Sequence, residues 1–404
     1  ADESGRSARW PLFVDPTGSA EYLGTVIPDP GIVSDLPVFH WFVADTAAAD
    51  TGAGTRASLY YDGELYDNIF VRIRGGTARS YPKKSYKFDF NKGHWFRFAP
   101  DQQRVSEINV NSTWPDKAYV RQVLSFETFR DAGVPYSETF PVRLEQNGQF
   151  FSVAIFIEQV DQWYLERQGL DPAGGLYKIL GGGLRGSVAN GVEKKIPRDG
   201  NYSDLEDLYE GLYLSGSARP RYIFDNLDIA EVINYYASIV IVHDGDHVMK
   251  NFYMHRDTEG TGLWSVLPWD KDLTFGRHWM GGEGVLNDDI AYSTDPINDW
   301  YMSNMLADAI MRIPSTREMY LRRVRTLTDD LLQSPATPQA QLKLEARLDE
   351  LIAQIGDDVL LDAARWRPYT YGSDQSIHTA AGFLKSGYLA PRRVFLDGHW
   401  RVPA

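Results

Sequence analysis

The order of elements along this 404-residue chain predicts an α+β fold in two lobes, a small strand-rich one and then a mostly helical one. Three observations point there. Alternating strand patterns crowd residues 57–180. The most apolar helical pattern follows at 228–243, and three amphipathic helical patterns fill 302–364. The expected organisation is an irregular segment 1–56 packed on the core, a strand-rich part 57–180, and a helical part 181–404 carrying an acidic hairpin at 243–276.

Each element has its own signal. Pro11, Pro16, Pro28, Pro30 and Pro37 break any long element before residue 57. Ala57–Tyr61 and Asn68–Arg74 alternate around the turn Asp62-Gly63-Glu64. Gly75 to Ser80 reads as a flexible loop. Lys83–Phe90 is the next strand, with Lys84, Tyr86, Phe88 and Phe90 on one face and Ser85, Lys87 and Asp89 on the other. A helix is expected over Asp116–Asp131, with Asp116 as its N-cap and Gly133 just beyond its end. Phe140–Leu144 and Phe150–Gln159 pair across Gln146-Asn147-Gly148, a strong hairpin signal. A short helix at Asp161–Gln168, a strand at Gly174–Leu180 and a glycine-rich loop at 181–191 follow. Asp228 caps the buried helix that runs to His243. Phe252–His255 and Leu263–Leu267 form strands around the Thr258–Gly262 turn, residues 277–300 read as a Gly/Asp-rich loop, and the tail after 364 reads as irregular.

Composition narrows the function. The formal net charge is −14, so nucleic acid and anionic membrane surfaces are not expected partners. No stretch has the length and apolarity of a membrane-spanning helix, so no membrane insertion is expected. The chain has no cysteine, which excludes disulfides, Cys-based zinc sites and Cys nucleophiles. It begins Ala-Asp-Glu-Ser, as a chain does after cleavage of an export signal, so an extracellular or cell-surface location is expected. Aromatic content is 13%, which suits grooves and large packed loops. Gly-x-Ser-x-Gly and Walker A patterns are missing, and the histidines do not form a zinc set.

Residues 243–276 carry the chemistry. His243-Asp244-Gly245-Asp246 is followed by Asn251 with four residues between Asp246 and Asn251. One strand later comes Pro268-Trp269-Asp270-Lys271-Asp272, then Thr274-Phe275-Gly276. An Asp-x4-Asn step before a strand that ends in Asp is how phosphotransferases place a base and two metal ligands. Asp246 is the candidate base. Asn251 and Asp270 are the candidate metal ligands, with Asp272 as the alternative to Asp270. The bland alternative is helix termination by Asp244 and Asp246 and an Asx turn at Asp270 and Asp272. Lys250 is the expected partner of Asp244. Loop 283–299 holds Glu283, Asp288, Asp289, Asp295 and Asp299 and is a candidate for Ca²⁺, although it lacks the EF-hand pattern.

A second cluster lies far upstream. Arg72, Arg74, Arg79, Lys83, Lys84, Lys87 and Lys92 gather within 21 residues of an acidic chain, which suggests a small polyanion such as a nucleotide. The Arg74-Gly75-Gly76 loop lets backbone N–H groups approach a phosphate, and Lys84 or Lys87 can reach it. Glu127 and Glu158 are the candidate carboxylates for that lysine, and Lys178 is a further phosphate or substrate contact. Solvated edge charges are the competing explanation for each of these singly. The site is expected in the cleft between the lobes.

At these residues the chain resembles the CotH family of atypical protein kinases, the spore-coat protein H-like proteins. The resemblance runs from about Phe70 to Gly276, roughly half the chain. It rests on Arg74-Gly75 with Tyr81-Pro82-Lys83-Lys84-Ser85-Tyr86-Lys87, on Trp114-x-Asp116 with Arg121, and on Glu158-Gln159-Val160-Asp161 and Tyr177-Lys178. It ends on Asp246-x4-Asn251-x-Tyr253 and Pro268-Trp269-Asp270-x-Asp272. The resemblance implies a minimal kinase-like fold, ATP with Mg²⁺ (Mn²⁺ as the alternative), and phosphorylation of Ser/Thr acceptors in secreted or coat proteins. It makes Asp246 the catalytic residue and Asn251 and Asp270 the metal ligands. Asp244 and the Met249-Lys250 spacer depart from the family pattern. Two other functions use the same residues: an inactive surface or coat-assembly module that keeps the fold, and nucleotidyl transfer.

Overall fold

The computed structural model describes residues 8–10, 22–24, 31–188, 191–244, 246, 249–277, 304–366 and 376–398. In chain order the first strands are β1 (Ala8–Trp10), β2 (Tyr22–Gly24), β3 (Val38–Phe42), β4 (Thr55–Tyr61), β5 (Glu64–Ile73), β6 (Tyr86–Asp89) and β7 (Glu107–Ser112). Then come β8 (Thr139–Gln146), β9 (Gln149–Glu158), β10 (Gly175–Ile179), β11 (Val192–Ile196), β12 (Phe252–Arg256) and β13 (Trp264–Pro268). The helices begin with α1 (Thr46–Ala49), α2 (Arg121–Asp131), α3 (Gln162–Arg167), α4 (Ser203–Leu212), α5 (Ala218–Asn226) and α6 (Ile229–Val242). They continue with α7 (Met305–Arg312), α8 (Pro314–Leu327), α9 (Lys343–Ile355), α10 (Asp358–Trp366), α11 (Ile377–Gly382) and α12 (Ala390–Gly398). The fold is α+β, as expected. No helix among the described residues is long and apolar enough to cross a membrane.

Two compact units interleave in sequence. The first comprises Ala1–Trp114, Glu138–Gln159 and Leu351–Asp374; the second comprises Pro115–Ser137, Val160–Glu350 and Gln375–Ala404.

The first unit is built on a closed barrel with strand order β3-β4-β5-β6-β7-β9-β8. Neighbours are antiparallel except at the closure, where β3 runs parallel to β8 with Val38 opposite Arg143. Alternation drives it: Tyr86 and Phe88 of β6 are buried, while Lys87 and Asp89 are part-exposed. Inside, the Trp41 ring meets Tyr86 at 5.0 Å, Phe88 at 5.6 Å and Phe151 at 5.8 Å between centroids. Asn147 and Gly148 turn the β8–β9 hairpin with φ of 52° and 79°, the left-handed pair that a two-residue hairpin needs. Two carboxylates of α10 enter this unit four residues apart. Asp358 takes Arg143 Nη1 at 2.6 Å, and Asp362 takes Lys83 Nζ at 2.7 Å and the Val153 N–H at 2.7 Å.

The second unit centres on α6. The Asp228 side chain accepts the Glu231 N–H at 3.0 Å, the expected cap. Every residue from Tyr235 to Val242 is buried, so this is a core helix. Its last three carbonyls are taken: Val240 by buried Arg392, Ile241 by the Tyr388 hydroxyl at 2.6 Å, and Val242 by the Phe275 N–H at 2.6 Å. The Arg392 charge also suits the negative end of the helix dipole. Arg323 of α8 bonds Asn234 of α6 at 2.6 Å and the Ala132 carbonyl, at the end of α2, at 2.9 Å. Strands β11-β10-β12-β13 form an antiparallel sheet in this unit.

Several local expectations change. Segment 1–56 is not wholly irregular, because Val38–Phe42 is a barrel strand whose entry at Pro37 needs no N–H and whose Pro37 carbonyl accepts the Arg143 N–H at 3.0 Å. Helix α2 starts at Arg121, not at Asp116. Asp116 stays outside it and bonds the Ala118 and Arg121 N–H groups at 2.9 and 2.8 Å, so its carboxylate organises the entry loop. The tail after 364 contains α11 and α12, anchored through Tyr388 and Arg392. Strands β7 and β11 and helices α4 and α5 were not expected.

Candidate active site

The site grows from the end of α6. His243 ends that helix in the left-handed region with φ 47°, and the chain turns into Asp244. Asp244 is fully buried, and its Oδ1 accepts the Asp246 N–H at 2.9 Å. That bond sets the backbone at Asp246. The Asp246 Oδ2 accepts from Asn251 Nδ2 at 2.9 Å and from Lys250 Nζ at 2.9 Å, and Asn251 Nδ2 also reaches the Asp246 carbonyl at 3.1 Å. The sequence pair Asp246 and Asn251 is thus one hydrogen-bonded unit. Lys250 was expected on Asp244. It pairs with Asp246 instead, because the turn buries Asp244 while the Lys250 stem stays half-exposed.

Asn251 enters β12 with φ 63°. Its N–H bonds the Ile179 carbonyl at 3.2 Å, and its carbonyl accepts the Trp269 N–H at 3.2 Å. Sheet pairing therefore brings the second cluster beside the first. Trp269 is buried edge-on to Tyr253 at 5.5 Å, and Lys178 Nζ lies 5.0 Å from the Trp269 ring centre. Asp270 follows with φ 56°, a left-handed conformation that few non-glycine residues adopt.

The turn after Asp270 is held from α2. Ser125 Oγ and Thr274 Oγ1 are 2.8 Å apart, Thr274 Oγ1 donates to the Lys271 carbonyl at 3.1 Å, and Arg121 Nε donates to the Thr274 carbonyl at 3.1 Å. Arg121 is itself paired with Asp116 at 2.5 Å, which joins two residues of the sequence resemblance in one contact. Between Asp270 and Asp272, Lys271 turns inward and pairs with Asp244 Oδ2 at 2.6 Å. Sequence reading missed Lys271, Ser125 and Thr274. The only signal was a lysine set between two aspartates.

Buried carboxylates crowd this turn. Burial pushes the Asp272 carboxyl well above the usual carboxylate range, and the charges of Asp270, Asp246, Asp116 and Asp244 push it further the same way. Burial also raises Asp246, against the opposing pull of Lys250. The oxygen donors of Asn251, Asp270 and Asp272 fit a hard divalent ion. Among the described residues, no three His, Asp or Glu side chains form a ready-made metal cage. An ion shared with nucleotide phosphates needs only one or two protein carboxylates.

The remaining candidates have definite places. Lys178 lies in the second unit beside Trp269. Glu127, also there, accepts both Arg347 Nε at 3.1 Å and Nη2 at 2.9 Å, so a guanidinium holds it rather than a lysine. Arg74, Lys84, Lys87 and Glu158 belong to the first unit. Arg74 bonds Asn111 Oδ1, Lys84 Nζ donates to the Arg79 carbonyl at 2.6 Å, and Lys87 pairs with Glu107. Buried Glu158 accepts the Glu138 N–H at 3.0 Å. The candidate Ca²⁺ loop 283–299 lies outside the described residues.

The chain matches the family model described as CotH kinase protein over residues 71–396. The inner spore coat protein H of Bacillus subtilis (strain 168) is 27% identical over 226 residues, covering 53% of this chain and 60% of that protein. The chain thus spans less than two thirds of that relative's length. Among solved structures, a HipA–HipB–operator DNA complex of Shewanella oneidensis MR-1 matches with TM-score 0.35 and 11% identity, covering 88% of this chain and 67% of the other. The proinflammatory kinase CtkA of Helicobacter pylori matches with TM-score 0.26 and 11% identity, covering 77% and 95%.

Proposed function

The chain belongs to the CotH kinase protein family, and from that premise we propose that it is an atypical kinase transferring the γ-phosphoryl group of ATP to Ser or Thr hydroxyls of a secreted, surface or coat protein. The observation that carries this reading is the Asp246 carboxylate bonded to Asn251 beside the 270–272 turn. The name of the curated relative supports the coat or surface setting.

In this reading Asp246 orients the acceptor hydroxyl and receives its proton as the oxygen attacks phosphorus. Asn251 fixes the rotamer of Asp246 through Nδ2, which leaves its amide oxygen for the metal. Asp270 is the carboxylate ligand, with Asp272 the alternative. Bound Mg²⁺ supplies charge neutralisation across the transferring phosphates. Lys250 occupies Asp246 before substrate arrives, so the acceptor must share or displace that contact. Lys84 or Lys87, with Arg74, is assigned to phosphate charge, and Glu158 and Lys178 to nucleotide or substrate contacts. The two-lobed layout, with strand-rich 57–180 and helical 181–404, is part of the same proposal.

The deciding experiment follows transfer of label from γ-labelled ATP to the chain itself and to dephosphorylated casein. Asp246→Ala and Asp270→Ala are each expected to abolish it, and unchanged transfer in either overturns the assignment. The mass of the modified product separates phosphoryl from nucleotidyl transfer. A thermal-shift titration with ATP and Mg²⁺ tests the inactive module, which predicts no stabilisation.

A further inference from the structure

We propose that Lys271 and Asp244 are positioning residues, a buried ionic strut that holds Asp246 and Asn251 in register for phosphoryl transfer; this rests on the kinase reading above. Both side chains have 0% exposure, and Nζ to Oδ2 is 2.6 Å. Lys271 Nζ also donates to the Asn251 carbonyl at 3.0 Å. The other Asp244 oxygen holds the Asp246 N–H at 2.9 Å. One ammonium therefore ties the backbone of the base, through Asp244, to the backbone of its partner Asn251.

The strut ties the turn after α6 to the paired strands β12 and β13. Asp246 lies in the turn after α6, Asn251 opens β12, and Lys271 follows β13. Its own carbonyl is held by Thr274 Oγ1 at 3.1 Å, so its main chain has its own support. A buried ion pair gains little net stability over an apolar pair of similar volume, because desolvation offsets the attraction. Placed here, the pair has a second consequence: it limits the travel of two residues whose mutual geometry sets the reaction. A misplacement of about 1 Å at such residues costs about a hundredfold in rate.

The test uses the full chain, Lys271→Met, Asp244→Asn and the double variant, with Asp246→Asn as the inactive reference. Each single variant strands one buried charge, so both lower kcat and the thermal midpoint. The double variant removes both charges. A strut predicts that its midpoint returns towards wild type while kcat stays about tenfold or more below it. It also predicts faster hydrogen exchange at the backbone amides of 244–252 in the double variant. Wild-type kcat and wild-type exchange in the double variant overturn the proposal and leave the pair purely structural. A wild-type chain that transfers no phosphate sinks the kinase reading instead, and the exchange rates still decide the strut.

Discussion

Lys83 and Asp362, 279 positions apart, form a buried ion pair with Nζ 2.7 and 2.8 Å from the two carboxylate oxygens. Thr113 Oγ1 accepts a third bond from the same ammonium at 2.6 Å, and Asp362 also takes the Val153 N–H. Within the first unit, a helix from late in the chain thus closes hydrogen bonding that the barrel strands leave open.

Asp362→Ala strands the Lys83 ammonium and the Val153 N–H together. The expected loss is about 3–5 kcal/mol of unfolding free energy, read by urea denaturation of the full chain. Replacing both partners, as Lys83→Met with Asp362→Leu, is expected to recover most of it. A single-variant loss below about 1 kcal/mol contradicts the buried pair.

Glu127 tests whether the phosphate lysine depends on this carboxylate. Its oxygens face Arg347, whose side chain is 40% exposed, so solvent screens the pair. Glu127→Gln is expected to cost about 1 kcal/mol or less and to leave KM for ATP unchanged. A large rise in KM without loss of stability returns Glu127 to the nucleotide site.

Metal removal addresses Asp270 and Asp272. Chelation with EDTA is expected to stop phosphate transfer, and Mg²⁺ or Mn²⁺ to restore it. Asp270→Asn is expected to raise the Mg²⁺ concentration for half-maximal transfer about tenfold or more. If Asp272→Asn gives the larger shift, the ligand is Asp272.

Glu231 links stability to pH. Burial, then the neighbouring Asp228 charge, pushes its carboxyl up to about 8. From an unfolded value of about 4.3 up to that point, the folded chain holds a proton that the unfolded chain has lost. Its contribution is therefore fully present below the unfolded value and falls as pH rises through the folded one. Glu231→Gln is expected to raise the thermal midpoint at about pH 9 and to change it little near pH 4. Equal shifts at both pH values contradict the burial.

Much of the local structure was legible because its causes are local. The Asn147-Gly148 turn needs left-handed residues, and only a few residue types supply them cheaply. Asp228 caps α6 through a bond to Glu231 three positions on. Segment 1–56 was harder, because prolines signal breaks but not what the intervening Val38–Phe42 will pair with. Asp116 misled for a similar reason: an aspartate before a helix reads as a cap, yet its carboxylate is held by Arg121.

The sequence by itself determined the spacing that matters, Asp246 to Asn251 to Asp270, because helix, turn and hairpin carry those residues to one place by short-range geometry. Only the tertiary structure decided that the strands close into a barrel, since β3 and β8 pair across about a hundred residues. It also decided the partners of charged side chains: Lys271 for Asp244, Arg347 for Glu127 and Asp362 for Lys83. A charged side chain can be recognised from its neighbours in sequence. Which opposite charge it meets depends on what the whole chain desolvates around it.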